Sequence, residues 1–226
     1  MCELKSCLVL KDRVFCPDYD HHQRMLEELK IKDDEVNALK TFVRVELLPP
    51  DGVRSLMEPL NRWTLKVDQD VTPEWWDEKA DRQRVEEAVE AWRKEHVFAE
   101  GEHEVTDGIY YALGSATVRA YGSATVRAYD NATVEAFGSA TVEATDRATV
   151  RAYGSATVEA YGSATVRASD NATVEATDRA TVRAYGSATV RAYGSATVRA
   201  YGSATVIWPR LHKIIYPTGW TAETHD

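Results

Sequence analysis

The stretch "YGSATVRAYDNATVEAFGSATVEATDRATVRA", residues 121–152, decides the fold of this chain. It repeats one octad, consensus Y-G-S-A-T-V-R/E-A, in every register-matched position. Copies begin at Leu113, Tyr121, Tyr129, Phe137, Thr145, Tyr153, Tyr161, Ser169, Thr177, Tyr185, Tyr193 and Tyr201, and residues 105–112, "VTDGIYYA", read as a degenerate first copy. A short fixed period is the mark of a solenoid, propeller or array.

Within each octad Ala, Val and Ala alternate with Thr, Arg or Glu, and the next aromatic residue. Alternation with a period of two is a strand with one buried and one exposed face. Gly-Ser, Asp-Asn or Asp-Arg follows, pairs that tolerate tight turns and positive φ. An eight-residue period does not match whole turns of 3.6 residues, so no helix keeps one face buried along the array. A triangular coil of three octads would enclose more space than Ala and Val fill at native packing density. The expected fold is therefore mainly β: a two-sided β-solenoid with about two octads per coil and about six coils, each rising by about 4.8 Å, preceded by an α+β head.

Two octads per coil put alternate octads on one side. One face then carries Arg119, Glu135, Arg151, Arg167, Arg183 and Arg199, flanked by Tyr121, Phe137, Tyr153, Ser169, Tyr185 and Tyr201. The other carries Arg127, Glu143, Glu159, Glu175, Arg191 and Ile207. Such rows are solvated ladders on any solenoid, yet arginine and aromatic side chains are also what interface cores are enriched in. The candidate binding face is Arg119, Tyr121, Phe137, Arg151, Tyr153, Arg167, Arg183, Tyr185, Arg199 and Tyr201. Like faces pairing about a two-fold axis, or a basic face meeting an acidic one, are the simplest uses. Nucleic acid suits the Arg and Tyr interleaving less well, because Glu135 interrupts the row and the array has no lysine. The row of threonines that an ice-binding surface needs is present but lies beside a full row of charge. The acidity that DNA mimicry needs is missing from the array.

The formal charge of −9 sits before the repeats: residues 1–112 hold 16 Lys+Arg against 26 Asp+Glu, and residues 113–208 hold 9 against 8. An acidic domain does not draw polyanions or anionic membrane by its net field. Cys2, Cys7 and Cys16 crowd the N-terminus, Glu3 stands where a secretory signal is basic, and no apolar run approaches the roughly 18 residues of a span. The expectation is a cytoplasmic protein with reduced thiols and no membrane partner.

Residues 1–104 read as the head. "SCLVLKDRVFC" (6–16) predicts a hairpin turning near Asp12, "DHHQRMLEELKI" (20–31) a short helix, "TFVRVELL" (41–48) and "RWTLKVDQDV" (62–71) strands, and residues 77–98 a long helix with Val85, Val89 and Trp92 on its buried stripe. Open solenoid ends expose unpaired strand edges, so capping the first coil is the simplest task for this domain. Two weak metal patterns occur. Cys2, Cys7, Cys16, His21 and His22 are soft-ligand types without a C-x2-C knuckle. Glu46, Asp68 and Asp70 are carboxylates that neighbouring strands could gather. Trp63, Trp75, Trp76 and Trp92 read as core. No nucleophile motif or phosphate loop is present, so no catalytic residue, metal or cofactor is assigned.

"FVRVELLPP", "RWTLKVDQD" and "TPEWWDE" ahead of an octad array resemble a type of uncharacterised protein from bacteriophages, prophages and gut bacteria, in which a similar head precedes short β-repeats. The resemblance covers residues 41–77 and the general plan. It implies no activity; it implies at most a binding inhibitor of a host complex.

After Ile207 the chain reads "WPRLHKIIYPTGWTAETHD". Trp208, Leu211, Ile214, Ile215, Tyr216 and Trp220 are too apolar for a free tail, and residues 209–226 are expected to cover the last coil or to join a second protomer. Together these features describe a non-enzymatic interaction or scaffold protein that binds protein through its Arg/Tyr face, with a homodimer as the simplest assembly. The alternatives are a phage or mobile-element inhibitor, a polyanion or nucleic-acid binder, and a metal-dependent enzyme in the head resting on Glu46 and Asp68.

Overall fold

The computed structural model describes residues 5–208. It divides into two compact units, Met1–His96 and Val97–Asp226.

In the first unit a hairpin of β1 (Ser6–Leu10) and β2 (Val14–Phe15) leads to two short helices, α1 (His22–Glu28) and α2 (Glu35–Ala38). β3 (Phe42–Leu48) and β4 (Thr64–Val67) complete an antiparallel sheet in the order β2-β1-β3-β4. The long helix α3 (Glu78–His96) buries Val85, Val89 and Trp92, the expected stripe. Pro49-Pro50 follows β3 directly, where a missing backbone N–H ends a strand at no cost to its ladder. Lys5 is fully buried, and its ammonium lies 3.0 Å from Asp20 Oδ1, 2.6 Å from the Pro17 carbonyl and 4.6 Å from the Trp92 ring centre. A buried charge survives only when paired and hydrogen-bonded in this way.

The second unit is the β-solenoid. Its first strands are β5 (Val97–Phe98), β6 (Glu102–Val105) and β7 (Ile109–Ala112), after which β8 (Thr117–Ala120) starts a run of Thr-to-Ala strands spaced by eight residues up to β18 (Thr197–Ala200), closed by β19 (Thr205–Ile207). Even-numbered strands form one seven-stranded parallel sheet and odd-numbered strands one eight-stranded sheet. Thr133 pairs with Thr149 and Thr149 with Thr165, so one coil is two octads.

The array has about seven coils rather than the six expected, and it begins at Val97 rather than at 105. The reason is register. Phe98 pairs with Ala112 and Val105 with Ala120, offsets of 14 and 15 residues, before the offset settles at 16 with Ile109 and Thr125. An irregular first coil hides its period from the sequence.

The inward residues are those the alternation assigns: Ala156, Val158 and Ala160 in one octad and Ala164, Val166 and Ala168 in the next are all buried, in one continuous core. Trp208 packs against the same core, with its indole N–H buried and without a hydrogen-bond partner among the described residues. The tail residues Leu211, Ile214, Ile215, Tyr216 and Trp220 lie outside the described residues.

The turns need the left-handed region. Gly154 and Gly162 sit at φ of 66° and 61°, and where the octad has no glycine, Asp130, Asp146, Asp170 and Asp178 take the same conformation. Aspartate is among the few side chains that tolerate it.

Candidate functional site

On the even-strand sheet, β8 to β18 hold Arg119, Glu135, Arg151, Arg167, Arg183 and Arg199 as one in-register ladder. Parallel pairing at the usual strand spacing sets these charges about 4.8 Å apart per coil at the backbone. The two ends of the row differ. Arg119 pairs with Glu102, Glu104 and Glu135, and Glu135 also pairs with Arg151 at 3.0 Å. Among the described residues no carboxylate forms an ion pair with Arg167, Arg183 or Arg199. Like charges directly opposite on a sheet destabilise it, so this end of the ladder is held by the fold rather than by its own contacts.

The aromatic row lies at the C-terminal margin of the same strands. Tyr121 stacks on Phe137 with ring centres 5.1 Å apart, Phe137 on Tyr153 at 5.0 Å, and Tyr185 on Tyr201 at 4.9 Å. Ser169 stands between the two stacks. The Arg167 guanidinium lies over the Tyr185 ring at 4.7 Å, an arrangement that leaves its charge in place. All ten residues of the expected binding face therefore belong to one sheet and its margin.

On the odd-strand sheet Arg127, Glu143, Glu159, Glu175 and Arg191 are stacked in register. Arg127 pairs with Glu143 at 3.3 Å, and Tyr161 donates its hydroxyl to Glu159 at 2.8 Å. That hydrogen bond, with burial and the carboxylates of Glu143 and Glu175, pushes the Tyr161 hydroxyl up to about 12. The middle of this sheet is acidic.

The head gathers a second group. His21 caps α1, its Nδ1 accepting the Arg24 N–H, so His22 is the first helical residue and turns inward beneath β3. His22 Nε2 lies 3.2 Å from the Val45 carbonyl, and its Nδ1 lies 3.3 Å from Asp68 Oδ2. Glu46 is buried and meets the exposed Lys66 at 3.2 Å. His22, Glu46 and Asp68 each offer a donor atom within 4.8 Å of the others. Of the carboxylates expected to cluster, Glu46 and Asp68 do so; Asp70 is outside the group.

The soft-ligand set does not assemble as read. His21 is spent on the cap, and His22 joins the carboxylates instead of the thiols. Cys7 and Cys16 are joined by a side-chain hydrogen bond. Cys2 lies outside the described residues. Linear spacing carries no signal for the His22 grouping, because it is created by β3 pairing with β4 and by α1 packing beneath them.

No protein-family model, no curated protein and no solved structure matches the chain. Among the described residues no helix is long and apolar enough to cross a membrane.

Proposed function

We propose that the solenoid is a non-enzymatic docking module whose Arg–aromatic sheet receives an acidic surface of strand-like spacing, and that a second copy of the chain supplies that surface. One observation carries this reading: the two sheets of the solenoid present runs of opposite charge on the same period. Set one octad out of step, rows 127/135, 143/151, 159/167 and 175/183 oppose opposite charges, and only 191/199 opposes like charges. An antiparallel alignment centred on Glu159 and Arg167 scores equally.

Such a contact joins different faces, so it is heterologous and open-ended. Seven strands at about 4.8 Å and four-residue strands at about 3.3 Å per residue give a face of about 30 by 13 Å. That is roughly 400 Å² per partner, in the class of weak, transient contacts. Association is then expected at micromolar or higher concentration and to be salt-sensitive. Sedimentation velocity across protein concentration at low and high salt tests it. Growth in mass at low salt that disappears at high salt supports the reading.

The Arg167–Arg183–Arg199 run also favours a polyanion as second reading. A chain that stays monomeric at low salt but binds single-stranded DNA, with an affinity that falls steeply with salt, would replace the first reading by this one.

A further inference from the structure

We propose that His22, Glu46 and Asp68 in the head form a binding site for a first-row divalent cation, with Zn²⁺ the best match. The inference is independent of the solenoid's role.

The argument starts from the imidazole. A backbone carbonyl only accepts, so the contact to Val45 requires the proton on His22 Nε2. In the neutral ring the lone pair is then on Nδ1, the atom that faces Asp68 Oδ2 at 3.3 Å. In that tautomer His22 Nδ1 and Asp68 Oδ2 are two acceptors facing one position, which a cation can fill. A histidine that donates one nitrogen to a backbone carbonyl while presenting the other to carboxylates has the orientation and tautomer of a metal ligand.

The separation also fits. Bonds of about 2.0–2.1 Å from zinc to nitrogen and oxygen correspond to a tetrahedral edge of about 3.3 Å. Glu46 lies within 4.8 Å of both other donors. Asp68 is exposed, so its side chain can rotate towards Glu46. His22 and Glu46 are both buried on packed secondary structure, which pre-positions two of the three ligands.

Charge favours a cation as well. One imidazole and two carboxylates carry a formal −2, reduced to −1 by Lys66, whose ammonium sits on Glu46 from an exposed stem. Lys66 neutralises Glu46 when no metal is bound, and its exposed stem lets it swing to solvent when a metal enters. Three protein ligands leave a fourth position for water, the arrangement of open rather than structural zinc sites. An imidazole in the set selects zinc and its neighbours over magnesium or calcium.

The test uses the full chain with Zn²⁺ and Co²⁺ salts as probes, followed by calorimetry and by the visible spectrum of the cobalt form. One ion per chain is expected. Asp68→Asn and Glu46→Gln should each weaken binding at least about tenfold, Lys66→Met should strengthen it, and Asp70→Asn should leave it unchanged. Asp68 is exposed, so its variant separates loss of a ligand from loss of fold. No uptake, uptake unchanged by Asp68→Asn, or a thiolate-to-cobalt charge-transfer band assigning the ion to cysteine, would each overturn the proposal.

Discussion

Asp170 reaches back by one coil: its Oδ2 accepts the backbone N–H of Gly154 at 3.0 Å, and Asp178 does the same for Gly162. The octads that lack the turn glycine thus replace it with a residue that tolerates the left-handed conformation and adds a hydrogen bond between coils.

This relationship predicts opposite outcomes for one substitution at two turns. At Gly138 a Cβ would stand 3.7 Å from Gly122 N, so Gly138→Asp has room to reproduce the natural bond and should change stability by less than about 0.5 kcal/mol. At Gly122 the Cβ would meet the Thr106 carbonyl oxygen at 2.6 Å, so Gly122→Asp should cost about 1–3 kcal/mol. Denaturant unfolding of both variants checks the difference; equal losses would contradict it.

The aromatic row makes a second prediction. Ser169 interrupts a stack that runs from Tyr121 to Tyr153 and resumes at Tyr185. Ser169→Tyr places a ring between two others, and an aromatic pair contributes about 0.5–1.5 kcal/mol beyond its area. A melting temperature raised by a few degrees is expected, and an unchanged or lowered one would show that the two stacks stand too far out of line to join.

Alkaline pH gives a third. The hydroxyls of Tyr19 and Tyr129, chiefly through burial, and of Tyr161, chiefly through its bond to Glu159, are each pushed up to about 12. The ordinary phenol value is about 10. A pKa raised on folding means that the protonated form is favoured in the folded chain, so the contribution is complete below about pH 10 and is lost as pH rises through about 12. Stability measured by denaturant titration should fall across that window, and Tyr161→Phe should make the fall shallower. An unchanged slope in that variant would contradict the assignment.

The hairpin gives a fourth. Burial pushes the Cys7 thiol up, and a hydrogen bond from Cys7 holds Cys16 below the usual thiol range. Iodoacetamide followed by peptide mapping should find Cys16 modified before Cys7, and Cys7→Ala should slow modification of Cys16 several-fold by removing its donor. Faster modification of Cys7 would contradict this.

The solenoid was legible because every octad states its geometry several times over: alternation gives the strand, Gly or Asp gives the turn, and small inward residues exclude a wide coil. The pairing of Arg151 with Arg167, and hence the two unequal faces, follows from that alone. The first coil was not legible, since offsets of 14 and 15 residues leave no period to see. The head was legible in part: the hairpin, the strand at Phe42–Leu48 and the Val85–Val89–Trp92 stripe stand where patterning puts them, whereas α2 had no signal of its own, the strand read over 62–71 is confined to Thr64–Val67, and Val97–Phe98, read as the end of the long helix, form β5. What patterning did not join were His22, from the segment with the cysteines, and Glu46 and Asp68, from the strands. Glu46 and Asp68 meet as neighbouring strands allow, whereas His22 reaches them only because α1 packs against β3, a contact between segments more than 20 residues apart for which a single sequence has no local signal.

The most direct test of the docking account is a charge exchange followed by sedimentation velocity at low salt. Arg167→Glu with Arg183→Glu makes rows 159/167 and 175/183 acidic on both sides, and Glu159→Arg with Glu175→Arg makes the same rows basic on both sides. Each variant alone should sediment as a monomer where the unmodified chain associates, and an equimolar mixture of the two should associate again. A monomeric unmodified chain at every concentration, or variants that associate alone as the unmodified chain does, would contradict the pairing of the arginine ladder with the glutamate ladder.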